Sequence, residues 1–210
     1  MDLSASILIQ GSPEWLQARC GHATASEFSS ILAKGQGKMR ASYLRRVVAE
    51  RLTGKPSENY SHGAWAKNLE RGQEQEPHAR MAYEALTGNP VEEVGFLKHR
   101  DLMAGCSPDG LIGTEGGAEI KSVIPTVQLT TILDGGYPSE HQAQVQGSLW
   151  ISGRKYWDFC SFSPDMPANL RCYVHRVERD EKYILNLAAE VTVFLKEVDA
   201  LVAKLMERKA

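Results

Sequence analysis

Asp109, Glu119 and Lys121 are the residues whose types and spacing point most directly to chemistry. Asp109 sits in Ser107-Pro108-Asp109-Gly110, a turn sequence in which proline fixes φ and glycine accepts positive φ. Leu111 and Ile112 begin an apolar run, and Gly113 to Gly117 supplies a second turn. Ala118 to Val123 then alternates as a strand does. Side chains i and i+2 share one face of a strand, so Glu119 and Lys121 point one way and Ile120 the other. If the two segments pair as a hairpin, Asp109 arrives beside Glu119. Two carboxylates and one ammonium then meet at one end of a sheet.

Carboxylate oxygens are hard ligands suited to Mg²⁺, which takes one or two protein carboxylates and fills its shell with water and substrate phosphate. A metal so held polarises a phosphoryl group and lowers the pKa of a bound water. A neighbouring Lys orients that water and offsets the charge that builds on the phosphate. An Asp, then a Glu-x-Lys ten residues on, resembles the motif of the PD-(D/E)xK nucleases. The same residues also fit a common turn and a solvated strand edge.

At 210 residues the chain suits one domain, 1–210, with a core that needs no staples. Its 42% apolar and 24% charged residues are those of an ordinary soluble protein, and no apolar run approaches a membrane span. Asp2 and the lack of a basic n-region predict no signal peptide, hence no membrane and a cytoplasmic location. The four cysteines form no C-x-x-C pair and are expected as thiols; the six histidines lack metal-ligand spacing. The net charge of −2 argues against a generic nucleic-acid-coating protein. It leaves room for a DNA enzyme that gathers its positive charge on one surface.

The positioning elements follow from local signals. Residues 1–10 read as a strand or an extended arm. Ser12 caps a first helix with Pro13 at its first position, and Arg19 shares a face with Trp15. Thr24 and Glu27 read as a capping box for a second helix, whose start, with Arg19 and Ser26, could hold an anion. Lys34 to Arg40 reads as a basic loop, 42–52 as a helix stopped by Gly54, and 55–62 as a polar loop. A helical pattern spans 64–86, with Pro77 expected to kink it or start a new helix. Glu76 and Arg80 share one of its faces and are expected to pair. Strands are expected at 91–97, 102–106, 156–162 and 170–177, and a short helix at 126–134. Ser139 is expected to cap a helix through Ile151. From Lys182 an amphipathic helix, with Ile184, Val191, Val198 and Leu205 seven residues apart, should cover the sheet. This order predicts an α/β fold: a central mixed β-sheet flanked by helices.

Most of the chain, from about Trp15 to the last helix, resembles lambda exonuclease and the related phage recombination nucleases, the YqaJ-like viral recombinases. The likeness is carried by Cys106-Ser107-Pro108-Asp109-Gly110-Leu111, by Glu119-Ile120-Lys121, by Ala143-Gln144-Val145-Gln146 and by Glu178-Arg179-Asp180-Glu181-Lys182-Tyr183. It implies a restriction-endonuclease-like PD-(D/E)xK core. It implies that Asp109, Glu119 and the Ile120 carbonyl bind Mg²⁺, as one ion or more commonly two, with Mn²⁺ as a substitute. Lys121 would orient the attacking water, and Glu76, in Gly72-x-x-x-Glu76-x-x-Ala79-Arg80, would complete the acidic site. Arg19, Ser26, Ser107 and Gln144 would hold the 5′-phosphate of the degraded strand.

The resemblance further implies processive 5′-to-3′ degradation of double-stranded DNA ends to mononucleotides, leaving 3′ overhangs for recombination. It implies a ring-shaped homotrimer, a single-strand annealing protein as partner, and a protein encoded by a phage or prophage. Two alternatives stay open: an endonuclease of the same superfamily, and a non-catalytic DNA-binding or assembly module. Residues 33–62 carry no motif that can be transferred.

Overall fold

The two segments that carry Asp109 and Glu119 do pair as a hairpin, and the rest of the molecule is arranged around it. The computed structural model describes residues 8–33, 38–57 and 64–208, with backbone alone for 64–73. Parts of the expected N-terminal arm, the basic loop after Lys34 and the polar loop before Ala64 therefore lie outside the described residues.

Strand β4 (Gly110–Ile112) runs antiparallel to β5 (Gly116–Ser122), with Gly110 opposite Ala118. β5 pairs in parallel with β6 (Tyr156–Phe162), which pairs antiparallel with β7 (Cys172–Glu178), giving the order β4-β5-β6-β7. A second, smaller sheet has the order β1-β3-β2, from β1 (Ala23–Thr24), β2 (Leu97–Lys98) and β3 (Ala104–Cys106). The expected mixed sheet is thus split in two. Only Ser107-Pro108-Asp109 separates β3 from β4, and a proline, which has no N–H, ends the ladder there. The strand expected at 91–97 is reduced to a bridge from Glu92 to Leu111 and the short β2. This segment crosses from one sheet to the other, so neither ladder extends along it.

Helix α1 (Pro13–Arg19) starts as expected, with the Ser12 hydroxyl accepting from the Trp15 N–H at 3.2 Å. The Thr24–Glu27 capping box does not form. Thr24 belongs to β1, a 3₁₀ turn covers Ala25–Glu27, and the Glu27 carboxylate is taken by Arg46 and Ser30. Helix α2 (Phe28–Leu32) follows, then α3 (Lys38–Thr53), which stops at Gly54 with φ of 65°. Helix α4 (Ala64–Thr87) runs unbroken past Pro77. Arg80 pairs with Glu93, not with Glu76. Helix α5 (Pro125–Asp134) ends at Gly135. A 3₁₀ turn, Ser139–His141, leads into α6 (Gln142–Ser152), and Ser139 makes no side-chain cap.

Helix α4 covers one face of the larger sheet, where Ala79 and Tyr83 pack on Ala118, Ile120, Cys160 and Phe162. The other face buries Trp157 and Phe159 in the main core beneath α6, with Ala143, Val145 and Leu149. Gly147 lets α6 come close to α2, because a Cβ there would lie 2.5 Å from the Phe28 ring. Helix α7 (Glu181–Met206) buries Ile184, Leu187, Val191, Phe194, Leu195 and Val198. It packs chiefly on α2, α3 and α6 rather than straight onto the sheet. Arg40–Glu197 and Arg51–Asp199 tie it to α3.

Gln146 explains why two separated signature segments occur together. Its amide donates to the Glu178 carbonyl at 2.9 Å and accepts from the Asp180 N–H at 3.0 Å. The Arg179 guanidinium adds bonds to the Leu149 and Arg154 carbonyls. The turn from β7 into α7 is thereby bolted to α6. Gln146→Leu leaves two backbone groups unpaired and is expected to cost about 2–4 kcal/mol. Denaturant unfolding checks this: the midpoint should fall while the slope stays unchanged.

Candidate active site

Asp109 leaves the Pro108 turn immediately before β4, and the β4–β5 register carries it beside Glu119 and Ile120. Its Oδ2 accepts the Ile120 N–H at 2.5 Å. Glu119 is 1% exposed, and its Oε1 accepts from Lys121 Nζ at 2.5 Å and from Gln144 Nε2 at 2.6 Å. Its Oε2 is buried with no hydrogen-bond partner among the described residues. Strand alternation thus does what the spacing predicts, with Glu119 and Lys121 on one face and Ile120 under α4 on the other.

The electrostatics are those of a crowded acidic site. Burial, and then the Glu119 carboxylate, hold Asp109 well above the usual carboxylate range. Burial works to lower Lys121, but Glu119, Asp109 and the hydrogen bond to Glu119 outweigh it and keep the ammonium above its ordinary value. Burial also raises Glu76, whose charge is felt by Asp109, Glu119 and Lys121. Glu74, two residues before it, is exposed. With Arg80 taken by Glu93, Glu76 is the carboxylate among the described α4 side chains whose charge reaches this site.

A buried carboxylate oxygen without a donor is costly in a dry site. Glu119 Oε2, with Asp109 alongside, is a hard-oxygen site that a divalent cation would satisfy. No group of three or more His, Cys, Asp or Glu side chains gathers as a metal cage among the described residues.

A second group of expected residues gathers beside the first. Arg19 donates to the Ser107 hydroxyl at 2.9 Å, and the Trp15 indole N–H donates to the same oxygen at 3.1 Å. The guanidinium lies 4.1 Å from the Trp15 ring centroid and 5.9 Å from that of Phe96. No carboxylate pairs with it among the described residues. Burial lowers Arg19 from its ordinary value, as expected for a cation held in a pocket without a counter-ion. The parallel pairing of Thr24 with Gly105 brings Ser26 and Ser107 out at the same end of β1 and β3. Ser26 is exposed, with its hydroxyl 3.4 Å from that of Thr24. Gln144 spends its amide on Glu119 and so stands at the acidic centre. Trp15 and Phe96 were not expected as part of the pocket, although the Trp15–Arg19 spacing already put the indole on the right helix face.

Comparison with known proteins places the chain in a family. The sequence profile of the YqaJ-like viral recombinase domain matches residues 14–155. A protein of Escherichia coli (strain K12) designated ExoD is 33% identical over 67 residues, which are 32% of this chain and 76% of that protein. The crystal structure of an alkaline exonuclease, LHK-Exo, from Laribacter hongkongensis superposes with a TM-score of 0.84 at 34% identity, covering 93% of this chain and 96% of that one. Its complex with dAMP gives a TM-score of 0.85 at 34% identity, covering 92% and 96%. A phage-related exonuclease from Haemophilus somnus 129PT shares the fold, with a TM-score of 0.66 at 14% identity over 88% of this chain and 96% of that one. The helix-flanked mixed sheets are thus those of the PD-(D/E)xK-like fold. With two thirds of its length matched by the family profile, and nearly all of it by a solved exonuclease, the chain belongs to the YqaJ-like viral recombinase family.

Proposed function

We propose that the protein is a Mg²⁺-dependent deoxyribonuclease that removes 5′-phosphorylated nucleotides from double-stranded DNA ends, working 5′ to 3′ and leaving 3′ overhangs. The observation that carries this reading is the pairing of an acidic centre with an Arg pocket that has no carboxylate partner among the described residues, joined through Ser107 and Asp109 in the short link between β3 and β4. Asp109, Glu119 and Lys121 supply hydrolysis, and Arg19 with Ser107 supplies an anion seat one step away. That the similar LHK-Exo binds dAMP, a 5′-mononucleotide, supports the same assignment.

Asp109, Glu119 and the Ile120 carbonyl would hold one or two Mg²⁺ ions, with Mn²⁺ as a substitute and Glu76 behind them. The bound ions supply electrophilic stabilisation of the phosphate and a more acidic water. The protein's own groups do the rest. Arg19 and Ser107, with Ser26 at the rim, seat the terminal 5′-phosphate through charge-assisted hydrogen bonds and so set the distance to the next phosphodiester. Lys121 Nζ orients the attacking water and offsets negative charge as it develops. Gln144 holds Glu119 in place from α6. Hydrolysis leaves a 3′-hydroxyl on the released nucleotide and a new 5′-phosphate on the retained strand, ready for the same seat. The family resemblance extends this reading to a homotrimer around the duplex and to a single-strand annealing partner. Sizing by light scattering tests the first, and co-purification with such a protein tests the second.

A substrate pair separates this reading from an endonuclease with the same centre. Linear 5′-phosphorylated duplex should be degraded while a covalently closed circle survives; cleavage of the circle would overturn the exonuclease assignment. Arg19→Ala should slow release from 5′-phosphate ends by about tenfold to a hundredfold and leave 5′-hydroxyl ends nearly unaffected, since it removes a charged hydrogen bond made only to the former.

A further inference from the structure

The face of α6 that meets the site carries three polar residues, and the mechanism above uses only the middle one. Ser148 faces the buried Cys106 thiol, next to Ser107 of the phosphate pocket. Gln144 bonds Glu119. His141 lies at the start of the helix, with helical backbone angles of φ −90° and ψ −4°. At about 1.5 Å rise per residue, Gln144 is about 4.5 Å and Ser148 about 10 Å along the axis from His141. The order along α6 is therefore phosphate pocket, acidic centre, His141.

The sheet gives the same order across its strands. Glu119 of β5 is in register with Phe159 of β6 and His175 of β7. The His141 ring lies over Phe159, with centroids 5.2 Å apart and planes at 30°. It thus sits one strand beyond the catalytic carboxylate, and Lys121 is near enough for its charge to act on the ring. The ring makes no hydrogen bond among the described residues; its nearest charged partner is the exposed Glu140 carboxylate, 3.9 Å away. Burial, and then Lys121, push the imidazole down to about 4, so it is neutral at neutral pH, with one N–H to donate.

We propose that His141 contacts the substrate on the side of the scissile phosphate opposite the 5′-phosphate pocket, donating a hydrogen bond to a backbone phosphate oxygen of the strand that is retained. This rests on the nuclease reading above. In that reading the released nucleotide fills the space between Arg19 and Glu119. The retained strand then leaves past Lys121, where the His141 ring offers a donor that no described residue accepts. A neutral donor suits a strand that has to advance after each cut, because it holds phosphate without the full charge of an Arg.

The competing role is packing against Phe159 alone, and two substitutions separate them. His141→Phe keeps an aromatic ring on Phe159 and removes the donor; His141→Gln restores a donor and loses the ring. The measurement is single-turnover nucleotide release from linear 5′-phosphorylated and 5′-hydroxyl duplexes with Mg²⁺. Nucleotides released per encounter are counted in the presence of a polyanion trap, and thermal unfolding serves as the folding control. The Phe variant should lose roughly tenfold to a hundredfold in rate and release fewer nucleotides per encounter. Its preference for 5′-phosphate over 5′-hydroxyl ends should stay that of the wild type, and the Gln variant should recover most of the rate. A Phe variant as fast and as processive as the wild type overturns the assignment. So does a Phe variant that has lost the end preference, since His141 would then serve the phosphate pocket. A wild-type protein that cleaves with no end preference at all overturns the 5′-end-directed exonuclease reading beneath it, and this proposal with it.

Discussion

Lys121→Ala is expected to cut Mg²⁺-dependent cleavage by about a thousandfold, the scale seen when a preorganised group acting on developing charge is removed. The reason is positional. Lys121 is held above its ordinary ammonium value by Glu119 and Asp109 despite burial, so it stays charged and fixed 2.5 Å from Glu119 Oε1. The variant also has a structural signature. Without the ammonium, Glu119 keeps only the Gln144 amide as a donor, and breaking one side of a largely buried ion pair costs about 3–5 kcal/mol. Added Mg²⁺ should therefore raise the melting temperature of Lys121→Ala by more than it raises that of the wild type. Calorimetry with and without Mg²⁺, beside the cleavage assay, checks both halves.

Glu119→Gln is expected to abolish activity, by about a thousandfold or more, and to remove the Mg²⁺-dependent rise in melting temperature altogether. It also changes how metal-free stability depends on pH. Asp109 is raised in the folded state by burial and then by Glu119. A carboxyl raised on folding contributes stability at pH below its unfolded value, and that contribution is lost as pH rises through its folded value. Neutralising Glu119 removes the second cause, so Asp109 ionises more easily in the variant. Metal-free Glu119→Gln should lose less stability than the wild type as pH rises above the ordinary carboxylate range. Chelator-treated protein followed by thermal unfolding across that range measures it. A variant whose stability falls as steeply as the wild type's would mean that the two carboxylates do not interact as their positions require.

These two residues were legible because a strand has a period of two and a hairpin sets its own register. Ser-Pro-Asp-Gly, Glu-Ile-Lys and the glycine turn between them contain nearly all the geometry of the acidic centre. The Arg19 pocket was legible in its members but not in its construction. Its Ser107 hydroxyl is oriented by the Trp15 indole, a contact 92 residues apart in sequence. The resemblance makes Gln144 a phosphate ligand, whereas its amide donates to Glu119, a contact 25 residues apart that helical spacing does not show.

The capping readings at Thr24 and Ser139 failed for one physical reason. A side-chain cap competes with other uses of the same groups, and here β1 pairing and the Arg46–Glu27 ion pair prevail at Thr24, and a 3₁₀ entry prevails at Ser139. The expected Glu76–Arg80 pair failed because Glu93, brought over by the segment that crosses between the sheets, takes the guanidinium. That tertiary competition leaves Glu76 facing the acidic centre. Helical spacing alone cannot show such a rival.

The most direct test of the account is nucleotide release from linear duplex DNA with Mg²⁺, comparing 5′-phosphate with 5′-hydroxyl ends, for the wild type and Lys121→Ala. The arrangement of Asp109, Glu119 and Lys121 beside the Arg19–Ser107 pocket predicts rapid release of mononucleotides that prefers the 5′-phosphate end and collapses in the variant. Folded protein that cleaves nothing, or a Lys121→Ala variant that cleaves at the wild-type rate, would contradict it.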